Sequence, residues 1–576
     1  MERRTLLAVV LSFVVLYAYQ TFFMPKPPAE APATQVTPPE AAPLAGAPSS
    51  AAQPPAAVAA APPAAEAPVV IGDTVEYEFT LETRTVRAVF INRGARLAHW
   101  ILKDYTDSAG RPVDLVPQDL PSGQPLPFSL RVDTGDLTRR LNSALFRSTR
   151  IEGSATTAAG LVFDFQDASG LTVRKEFRLD PATYLVTFNA SVRQGDQELT
   201  PYVQWGPALG DLGVTSGGGF FTSDTAPPPE AIFHNGDKVE RISFTGVDGS
   251  PVHEGAFRFA GVDDHYFIVA VVNPGQVRVE YRGLTQPMPG DRQRQLLLHT
   301  VQVPQSAKGL KYYIGPKAFD TLKAVDGEFV RAINFGFWAF IAVPFLGVLK
   351  WIYSYVGNYG WAIILLTILM NMVIFPLRHK SVVSMRKMQD LQPQLKVIQD
   401  RYADLKMTDP SRQKMNSEVM GLYREKGVNP ASGCIPMVLT FPVLFAFYSL
   451  LSQAIELRGA PFGFWIHDLS QRDPYYVTPL LMGVTMFWQQ KITPTSVDPA
   501  QQRMMMFMPV VFVAMFLTFP SGLAIYYFVN NVWAIGQQYF TNWLIGPPTV
   551  HVPRPAAERL VKSAGAGRTE RAEKKT

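Results

Sequence analysis

Two polar side chains lie in the middle of a segment that is otherwise apolar enough for a lipid bilayer. Residues 361–377 contain Thr367 and Asn371, one helical turn apart on the same face, and a basic triplet follows directly at 378–380. Polar side chains at membrane depth turn toward protein or water rather than lipid. A cavity open to the cytoplasm is one explanation, and hydrogen bonds between helices are the other.

The last apolar segment, 523–540, carries further amides at Asn530, Asn531, Gln537 and Gln538. Catalytic motifs are lacking: the glycine run at 217–219 leads to no Lys-Ser/Thr pair and is not a phosphate loop. The single cysteine, Cys434, excludes an internal disulfide and a cysteine metal cluster. We therefore expect no catalytic residue, no metal and no cofactor, and a protein that is not an enzyme.

The composition is typical of a membrane protein with a water-soluble insert. Of the 576 residues, 47% are hydrophobic and 18% are charged, which is apolar for a soluble chain. The apolar residues concentrate at the N-terminus and beyond about residue 330. A formal charge of +5 is small for this length and does not favour nucleic-acid binding.

The N-terminal segment 1–24 places Arg3 and Arg4 before an apolar run of roughly 19 residues, which is long enough to span a bilayer. We predict an uncleaved anchor with a cytoplasmic N-terminus; a cleaved signal peptide is the alternative. Residues 25–68 are rich in Pro and Ala and predict an extended linker. Such a linker is expected to isolate the following domain from the membrane spans.

Between residues 69 and 323 the hydrophobic period changes to two. Val75, Tyr77 and Phe79 alternate with polar residues, and turn sequences recur, for example at 92–94. Many short strands joined by turns predict a large antiparallel β-sandwich. The cytoplasmic start of the anchor places this domain in the periplasm.

Within residues 324–358, the segment 335–355 is apolar and aromatic but includes Pro344. We expect Pro344 to break a spanning helix, and Trp338 and Trp351 suit the headgroup region. The segment is therefore predicted to be an amphipathic helix in the membrane interface, with a further span as the alternative.

The region 359–545 is predicted to be a core of membrane helices. Its apolar segments are 361–377, 435–451, 475–490, 504–519 and 523–540, which with the anchor make about six transmembrane helices. Lys and Arg crowd the loop after the first segment but not the loop at 456–475, so the former is predicted to be cytoplasmic and the latter external. The same count places the basic tail 546–576 in the cytoplasm, so the chain is a polytopic α-helical membrane protein with both termini cytoplasmic.

The loop 379–428 predicts a cytoplasmic helical hairpin. Its first helix has a heptad-like seam through Met388, Leu391, Leu395, Ile398, Tyr402 and Leu405, with a kink expected at Pro393. Asp409 and Pro410 offer the N-cap and the first residue of the second helix. The exposed basic surface is predicted to include Lys396, Arg401 and Arg412. This surface either receives a partner or only determines topology.

A family resemblance rests on long stretches in the second half of the chain. They are FPLRHKSVVSMRKMQDLQPQL, VNPASGCIPMVLTFPVLFAFY, ELRGAPFGFWIHDLSQRDPYY, LMGVTMFWQQKITPT and FMPVVFVAMFLTFPSGLAIYYFVNN. These stretches resemble the YidC family of bacterial membrane protein insertases over about residues 330–545. The resemblance implies an inner-membrane insertase and chaperone that accepts nascent membrane proteins, alone or with the Sec translocon. It also implies a hydrophilic groove that is open to lipid and cytoplasm and closed externally.

The same resemblance implies the residues and the partners of the groove. The implied groove residues are Thr367, Asn371, Tyr526, Tyr527, Met437 and Phe441. The implied partners are the ribosome, the Sec translocon with its accessory subunits, and membrane lipids, with no specific nucleic-acid sequence. In the family a cationic Arg occupies the position that is Asn371 here, and an amide carries no charge. Either Arg378 near the cytoplasmic mouth compensates, or charge is dispensable in this chain.

Two other functions fit parts of the sequence. A small-solute transporter is disfavoured because the spans show no inverted repeat and no acidic residue at the midplane. A carbohydrate-active or carbohydrate-binding exported domain would use the cluster Asp263, Asp264 and His265. A turn before the next strand is the simpler explanation of that cluster.

Overall fold

The β-rich part of the chain and the helices after it are described by a computed structural model. It covers residues 70–546, with gaps at 108–109, 121–122, 155–158, 208, 210–213, 216–227, 289–291, 305–308, 403–410, 428–434 and 494–498. Side chains at 288, 292, 411–412, 435–440 and 499–504 are also not described. The predicted anchor 1–24, the linker 25–68 and the tail beyond residue 546 lie outside the described residues. The described residues belong to one compact unit, Ala67–Thr576.

The strands form two antiparallel sheets. In chain order, β1 to β18 are Glu78–Glu82, Val86–Ile91, Arg96–Thr106, Pro112–Asp114, Ser129–Arg131, Arg147–Ile151, Ala159–Gln166, Leu171–Leu179, Leu185–Gln194, Gln197–Leu199, Tyr202–Trp205, Val214–Thr215, Glu230–His234, Val239–Ile242, Val252–Asp263, Phe267–Met288, Arg292–Gln302 and Leu310–Pro316. The first sheet has the order β1-β2-β3-β4. The main path of the second sheet is β14-β13-β15-β16-β18-β9-β8-β7-β6, and β17 pairs with β16 and β11 beside it.

The small sheet packs on the large one through buried aromatic side chains. Phe90 of β2 lies 4.7 Å from Phe177 of β8 between ring centroids, and the Trp100 indole N–H donates to the Ile314 carbonyl at 2.8 Å. The predicted antiparallel sandwich is therefore confirmed. Its first strand was placed too early, because Val75 and Tyr77 precede β1 and are exposed.

The helices follow the sandwich, apart from one that lies within it. In chain order, α1 to α10 are Gly135–Ser143, Phe319–Val325, Ala339–Val356, Tyr359–Asp390, Gln392–Arg401, Ser411–Glu425, Ile435–Gln453, Val477–Ile492, Pro499–Phe516 and Ser521–Ile545. In the described part of the chain, Gly336–Val356 and Tyr359–Asp390 are long and apolar enough to cross a membrane, and Phe441–Gln453 and Met505–Phe516 are shorter apolar helices.

Two prolines behave differently from each other. Pro344 lies inside α3, which continues through it, so the expected break is wrong. Pro344 removes only the hydrogen bond to the Phe340 carbonyl, and the helix continues on the bonds of its other residues. Pro393 does interrupt a helix: α4 ends at Asp390, and α5 has Pro393 in its first turn. Pro393 has no N–H to donate to the Gln389 carbonyl, and its ring clashes with that carbonyl, which accounts for the break.

Beyond the break, α5 packs against α6. Leu391 and Leu395 are buried against Val419, Leu422 and Tyr423. Farther along, the Tyr402 hydroxyl donates to Glu418 Oε1 at 2.8 Å. Because later residues of α5 meet earlier residues of α6, the two helices run antiparallel. The packed residues include Met388, Leu391 and Leu395 of the predicted seam.

The β domain is joined directly to the helices. His265 Nε2 donates to the Ser452 carbonyl at 2.6 Å, and Arg458 donates to the Thr106 carbonyl at 3.1 Å. The Arg458 guanidinium also lies 5.2 Å from the ring centroid of Tyr266, within cation–π range. The expectation that the linker isolates this domain from the membrane core is therefore wrong, because the turn before β16 bonds to the end of α7 and the end of β3 bonds to the segment after α7.

Candidate functional site

The polar residues in the middle of α4 make their hydrogen bonds within that helix. The Thr367 hydroxyl donates to the Ile363 carbonyl at 2.7 Å, and Asn371 Nδ2 donates to the Thr367 carbonyl at 2.8 Å. Both side chains are buried. These contacts are the local type that Thr and Asn make with the preceding turn of a helix. Neither residue acts as a hydrogen-bonded link to another helix through these bonds.

Asn371 uses its remaining amide oxygen to hold a cation. Arg378 Nη1 donates to Asn371 Oδ1 at 3.0 Å. The two residues are two helical turns apart, about 10 Å along the axis. Side chains of a helix point toward its N-terminus, so the Arg378 guanidinium reaches back to the level of Asn371. The basic group that follows the apolar segment in sequence is therefore brought into it in space.

The face of α10 that meets α4 continues this polar region. His379 Nδ1 and the Thr541 hydroxyl are 3.2 Å apart, and the rings of Phe375 and Phe540 are 5.9 Å apart. Gln537 lies one turn before Thr541 and is buried. At the end of α10, the Arg386 guanidinium donates to Asn542 Oδ1 and to the Gly546 carbonyl. Polar side chains thus follow the α4–α10 contact to its end.

The two tyrosines implied by the family resemblance pack against neighbouring helices. Tyr526 is buried and stacks on Phe447 of α7, with 4.4 Å between ring centroids. Tyr527 is half-buried and meets Phe516 of α9 edge-on at 4.9 Å. Phe441 is exposed and stacks on Phe445 of its own helix. The side chain of Met437 lies outside the described residues.

Asn531 faces a different helix. Its Nδ2 donates to the Met482 carbonyl of α8 at 3.3 Å. This bond joins α10 to α8. It therefore fits the second explanation given for polar residues in the apolar segments, namely hydrogen bonds between helices. Among the amides of α10, Asn531 therefore makes a structural contact with α8, whereas Gln537 lies on the polar face toward α4.

The loop between α7 and α8 packs on one end of the helices. The Gly522 N–H donates to the Leu469 carbonyl at 3.0 Å, and Asn358 Nδ2 donates to the Pro461 carbonyl at 2.9 Å. Burial acts to raise the pKa of Asp473, but hydrogen bonds from the Thr478 N–H and hydroxyl hold it below its ordinary value. A charged Asp473 therefore fixes this loop to the start of α8, at the end of the helices opposite Arg378.

Comparison with known proteins matches almost the whole chain. Residues 78–348 match the family model of the YidC periplasmic domain, and residues 351–546 match that of the 60Kd inner membrane protein. The membrane protein insertase YidC of Oleidesulfovibrio alaskensis is 37% identical over 94% of this chain and 99% of its own length. That of Geobacter metallireducens is also 37% identical, over 94% and 98%. The chain belongs to the YidC family.

A crystal structure of an active YidC insertase with its first transmembrane domain resolved also aligns with the chain. The alignment covers 82% of this chain and 95% of that one, at 16% identity and a TM-score of 0.34. The resemblance first noted in the sequence is confirmed by the family models and by the relatives.

Within this YidC family member, the acidic cluster of the β domain has structural partners. Asp263 Oδ2 accepts from Lys317 Nζ at 3.0 Å and from Arg241 Nη1 at 2.8 Å. Asp264 Oδ1 accepts the main-chain N–H groups of Tyr266 and Phe267. Asp264 thus forms the turn that the simpler explanation predicted. Among the described residues, no group of His, Cys, Asp and Glu is arranged to hold a metal ion.

The predicted basic surface of the hairpin is partly visible. Lys396 is exposed, and the exposed Arg401 pairs with Glu418 at 3.3 Å. The side chain of Arg412 lies outside the described residues. On the face of α10 that carries Tyr526, Gln537 was noted from sequence among the amides of the last apolar segment, and Trp533 was not noted. Helical spacing from Tyr526 was the available signal, since both lie on its face of α10.

Proposed function

We propose that this chain is a membrane protein insertase and chaperone of the bacterial inner membrane. Its substrates would be nascent membrane proteins, taken alone or together with the Sec translocon. The Arg378–Asn371 hydrogen bond carries the proposal, because it holds a cation beside buried amides among apolar helices. A sequence identity of 37% with two YidC insertases, along nearly their full length, supports this proposal. Insertion makes and breaks no covalent bond, so no enzymatic activity is proposed.

The membrane arrangement we propose has about six spans: the anchor, α4, α7, α8, α9 and α10. The α5–α6 hairpin and both termini face the cytoplasm, and the β domain faces the periplasm. The helix α3 lies in the interface, where the exposed Trp351 and Tyr355 suit the headgroup region. The domains keep the predicted boundaries, 1–24, 25–68, 69–323, 324–358, 359–545 and 546–576, with the hairpin at 379–428.

In this arrangement Thr367, Asn371 and Arg378 lower the barrier to a hydrophilic segment of the substrate. Charged or polar flanks pay a large desolvation cost in lipid, which polar groups at membrane depth reduce. Arg378 would attract an acidic flank. Its hydrogen bond to Asn371 would hold the Arg378 guanidinium two helical turns deeper in the membrane than the Arg378 backbone. The helix α8 has 16 residues, or about 24 Å, and a span this short thins the bilayer locally.

The apolar segment of the substrate would leave the groove toward lipid along Tyr526, Tyr527, Phe441 and Met437. Ribosomes would approach the basic hairpin surface at Lys396, Arg401 and Arg412, because ribosomal RNA is anionic. The Sec translocon, its accessory subunits and lipids complete the proposed partners. No specific nucleic-acid sequence is expected to be bound.

Insertion by the purified chain tests this function. The full-length protein is reconstituted in liposomes with a short single-span substrate, and insertion is scored by protection from an external protease. We expect the spanning fragment to be protected at a rate well above that in liposomes without the protein. Equal protection with and without the chain would overturn the proposal.

A further inference from the structure

Two adjacent glutamines of α10 differ in their hydrogen bonding. Gln537 and Gln538 are both buried, with 7% and 5% of their surface exposed. Gln538 Nε2 donates to Asn542 Oδ1 at 3.0 Å. In contrast, neither Nε2 nor Oε1 of Gln537 has a hydrogen-bond partner in the described part of the chain. A buried amide without a partner is costly, so the partner of Gln537 is expected to come from outside the described residues.

Gln537 belongs to a polar stripe that faces α4. It lies one turn after Trp533 and about three turns after Tyr526 on the same face of α10. The next residue of the stripe, Thr541, contacts His379 at 3.2 Å, which shows that this face is turned to α4. The indole nitrogen of Trp533 is also buried without a partner among the described residues. The stripe therefore offers an amide and an indole N–H on the face that meets the helix of Asn371 and Arg378.

The chemistry of these two groups matches a peptide unit. A carboxamide has both donors and an acceptor, and an indole nitrogen is a donor only. A polypeptide main chain that enters a bilayer in extended form presents unpaired N–H and C=O groups, each of which costs several kcal/mol in lipid. An amide pairs with a peptide unit whatever the side chain. Gln537 would thus recognise a flank whatever the sequence and the charge of that flank.

We propose that Gln537, assisted by Trp533, binds the main chain of the hydrophilic flank of an inserting substrate. Gln537 Oε1 accepts from a backbone N–H, and Gln537 Nε2 and the Trp533 indole N–H donate to backbone carbonyls. The inference rests on the proposed insertase function and adds a second specificity to it. Arg378 responds to charge on the flank, whereas Gln537 responds to its peptide groups.

A pair of flanks that differ only in backbone N–H groups tests the inference. The full-length protein in liposomes is given a single-span substrate whose uncharged flank is made of glycine or, at equal length, of sarcosine, which is N-methylglycine. We expect Gln537→Met to slow insertion of the glycine flank roughly three- to tenfold, the effect of one hydrogen bond. Insertion of the sarcosine flank, which keeps its carbonyls but has no backbone N–H to donate to Gln537 Oε1, is expected to slow by a clearly smaller factor.

Gln538→Met is the matched control, because it removes a neighbouring amide of equal burial that already has a partner. It is expected to leave both rates within about twofold of the parent. The thermal midpoint of Gln537→Met in detergent should be no lower than that of the parent, since the substitution removes an unpaired amide. This measurement separates a loss of binding from a loss of folding.

Three results would overturn the inference or its basis. If Gln537→Met slows both flanks alike, the amide acts only by hydrating the groove. If it slows neither flank while the parent inserts both, the main chain is not recognised here and the insertase function stands. If the parent itself inserts no better than empty liposomes, the proposed function fails rather than this inference alone.

Discussion

Two buried cations, Lys175 in the β domain and Arg378 in the helical domain, use their hydrogen-bond donors differently. Lys175 is fully buried and donates to the carbonyls of Gly94 at 2.6 Å, Ala95 at 3.2 Å and Phe128 at 2.9 Å. These bonds use all three donors of an ammonium group. Arg378 is only half-buried, and in the described part of the chain its hydrogen bond is to Asn371 Oδ1.

The difference separates a structural cation from one that is available to a ligand. A guanidinium has five N–H donors in a planar arrangement that suits carboxylates. Asn371 occupies one of these donors and leaves the group oriented toward α10. Lys175 instead has no donor left and no exposure to solvent. We therefore expect substitution of Lys175 to change stability, and substitution of Arg378 to change the rate of insertion.

The largest effect is expected for Lys175→Met. It would leave buried carbonyls unpaired, two of them on Ala95 and Phe128, which have positive φ angles of 47° and 65°. Breaking a buried, charge-assisted set of hydrogen bonds costs about 3–5 kcal/mol. We expect the free energy of unfolding of the β domain to fall by that amount, measured by thermal or urea unfolding of the full chain. Lys311→Met, at an exposed position of β18, is the control and should stay within about 0.5 kcal/mol. An unchanged unfolding curve for Lys175→Met would contradict the structural assignment.

The next prediction exchanges the residues at 371 and 378. Arg378→Asn should slow insertion of substrates with acidic flanks about tenfold, or about 1.4 kcal/mol, and leave neutral flanks unchanged. Asn371→Arg alone would place two guanidinium groups side by side and is expected to lower the thermal midpoint in detergent. The double variant should restore the insertion rate of acidic substrates to within about threefold of the parent, because it keeps one cation on the same face of α4.

The measurement is the insertion rate against flank charge for the parent, both single variants and the double variant. A double variant as slow as Arg378→Asn would show that the position of the cation, and not only its presence, matters. Equal rates for acidic and neutral flanks in all four proteins would mean that charge is dispensable, which was the second alternative for Asn371.

The sequence was sufficient to predict where the helices lie but not which contacts their side chains make. Hydrophobic periods located α4, α7, α8 and α10 closely, because apolar length and flanking charge are local properties. They did not predict the Arg378–Asn371 bond, which depends on a side-chain rotamer. They also placed a break at Pro344, where the structure continues α3.

Long-range contacts were beyond sequence reasoning. Arg458 and Thr106 are hundreds of positions apart, and the Pro- and Ala-rich linker at 25–68 indicated separation of the β domain instead. The same limit applied to Gln537 and Gln538, which are identical and adjacent in sequence. Only the side-chain positions show that Gln538 bonds to Asn542 of its own helix, whereas Gln537 has no partner among the described residues.

A smaller effect is expected where the two domains meet. Arg458→Ala removes one hydrogen bond and the stacking on Tyr266 and Phe267, together worth about 1–2 kcal/mol. We expect the β domain to unfold at a lower temperature than in the parent while the helices keep theirs, which calorimetry of the full chain resolves. The exposed Lys323→Ala is the control. If insertion falls as much as stability does, the junction also positions the helices.

The smallest effect concerns the hairpin surface, because its charges are exposed. Arg401→Glu would set a second carboxylate against Glu418, whose Oε1 also accepts from Tyr402 at 2.8 Å. An exposed pair contributes at most about 1 kcal/mol, so the hairpin should remain folded. Lys396→Glu, at an exposed position with no ion pair to Asp or Glu in the described part of the chain, changes surface charge alone.

If the hairpin surface receives ribosomes, Lys396→Glu and Arg401→Glu should each weaken ribosome co-sedimentation about two- to threefold at low salt. The difference from the parent should shrink as the ionic strength rises, because exposed charges are screened. Lys396→Gln, which removes one charge without reversing it, should lie between the parent and Lys396→Glu. Binding and insertion equal to the parent in all three variants would mean that these charges only determine topology. In that case Arg378, and neither Lys396 nor Arg401, would be the cation whose charge acts on the substrate.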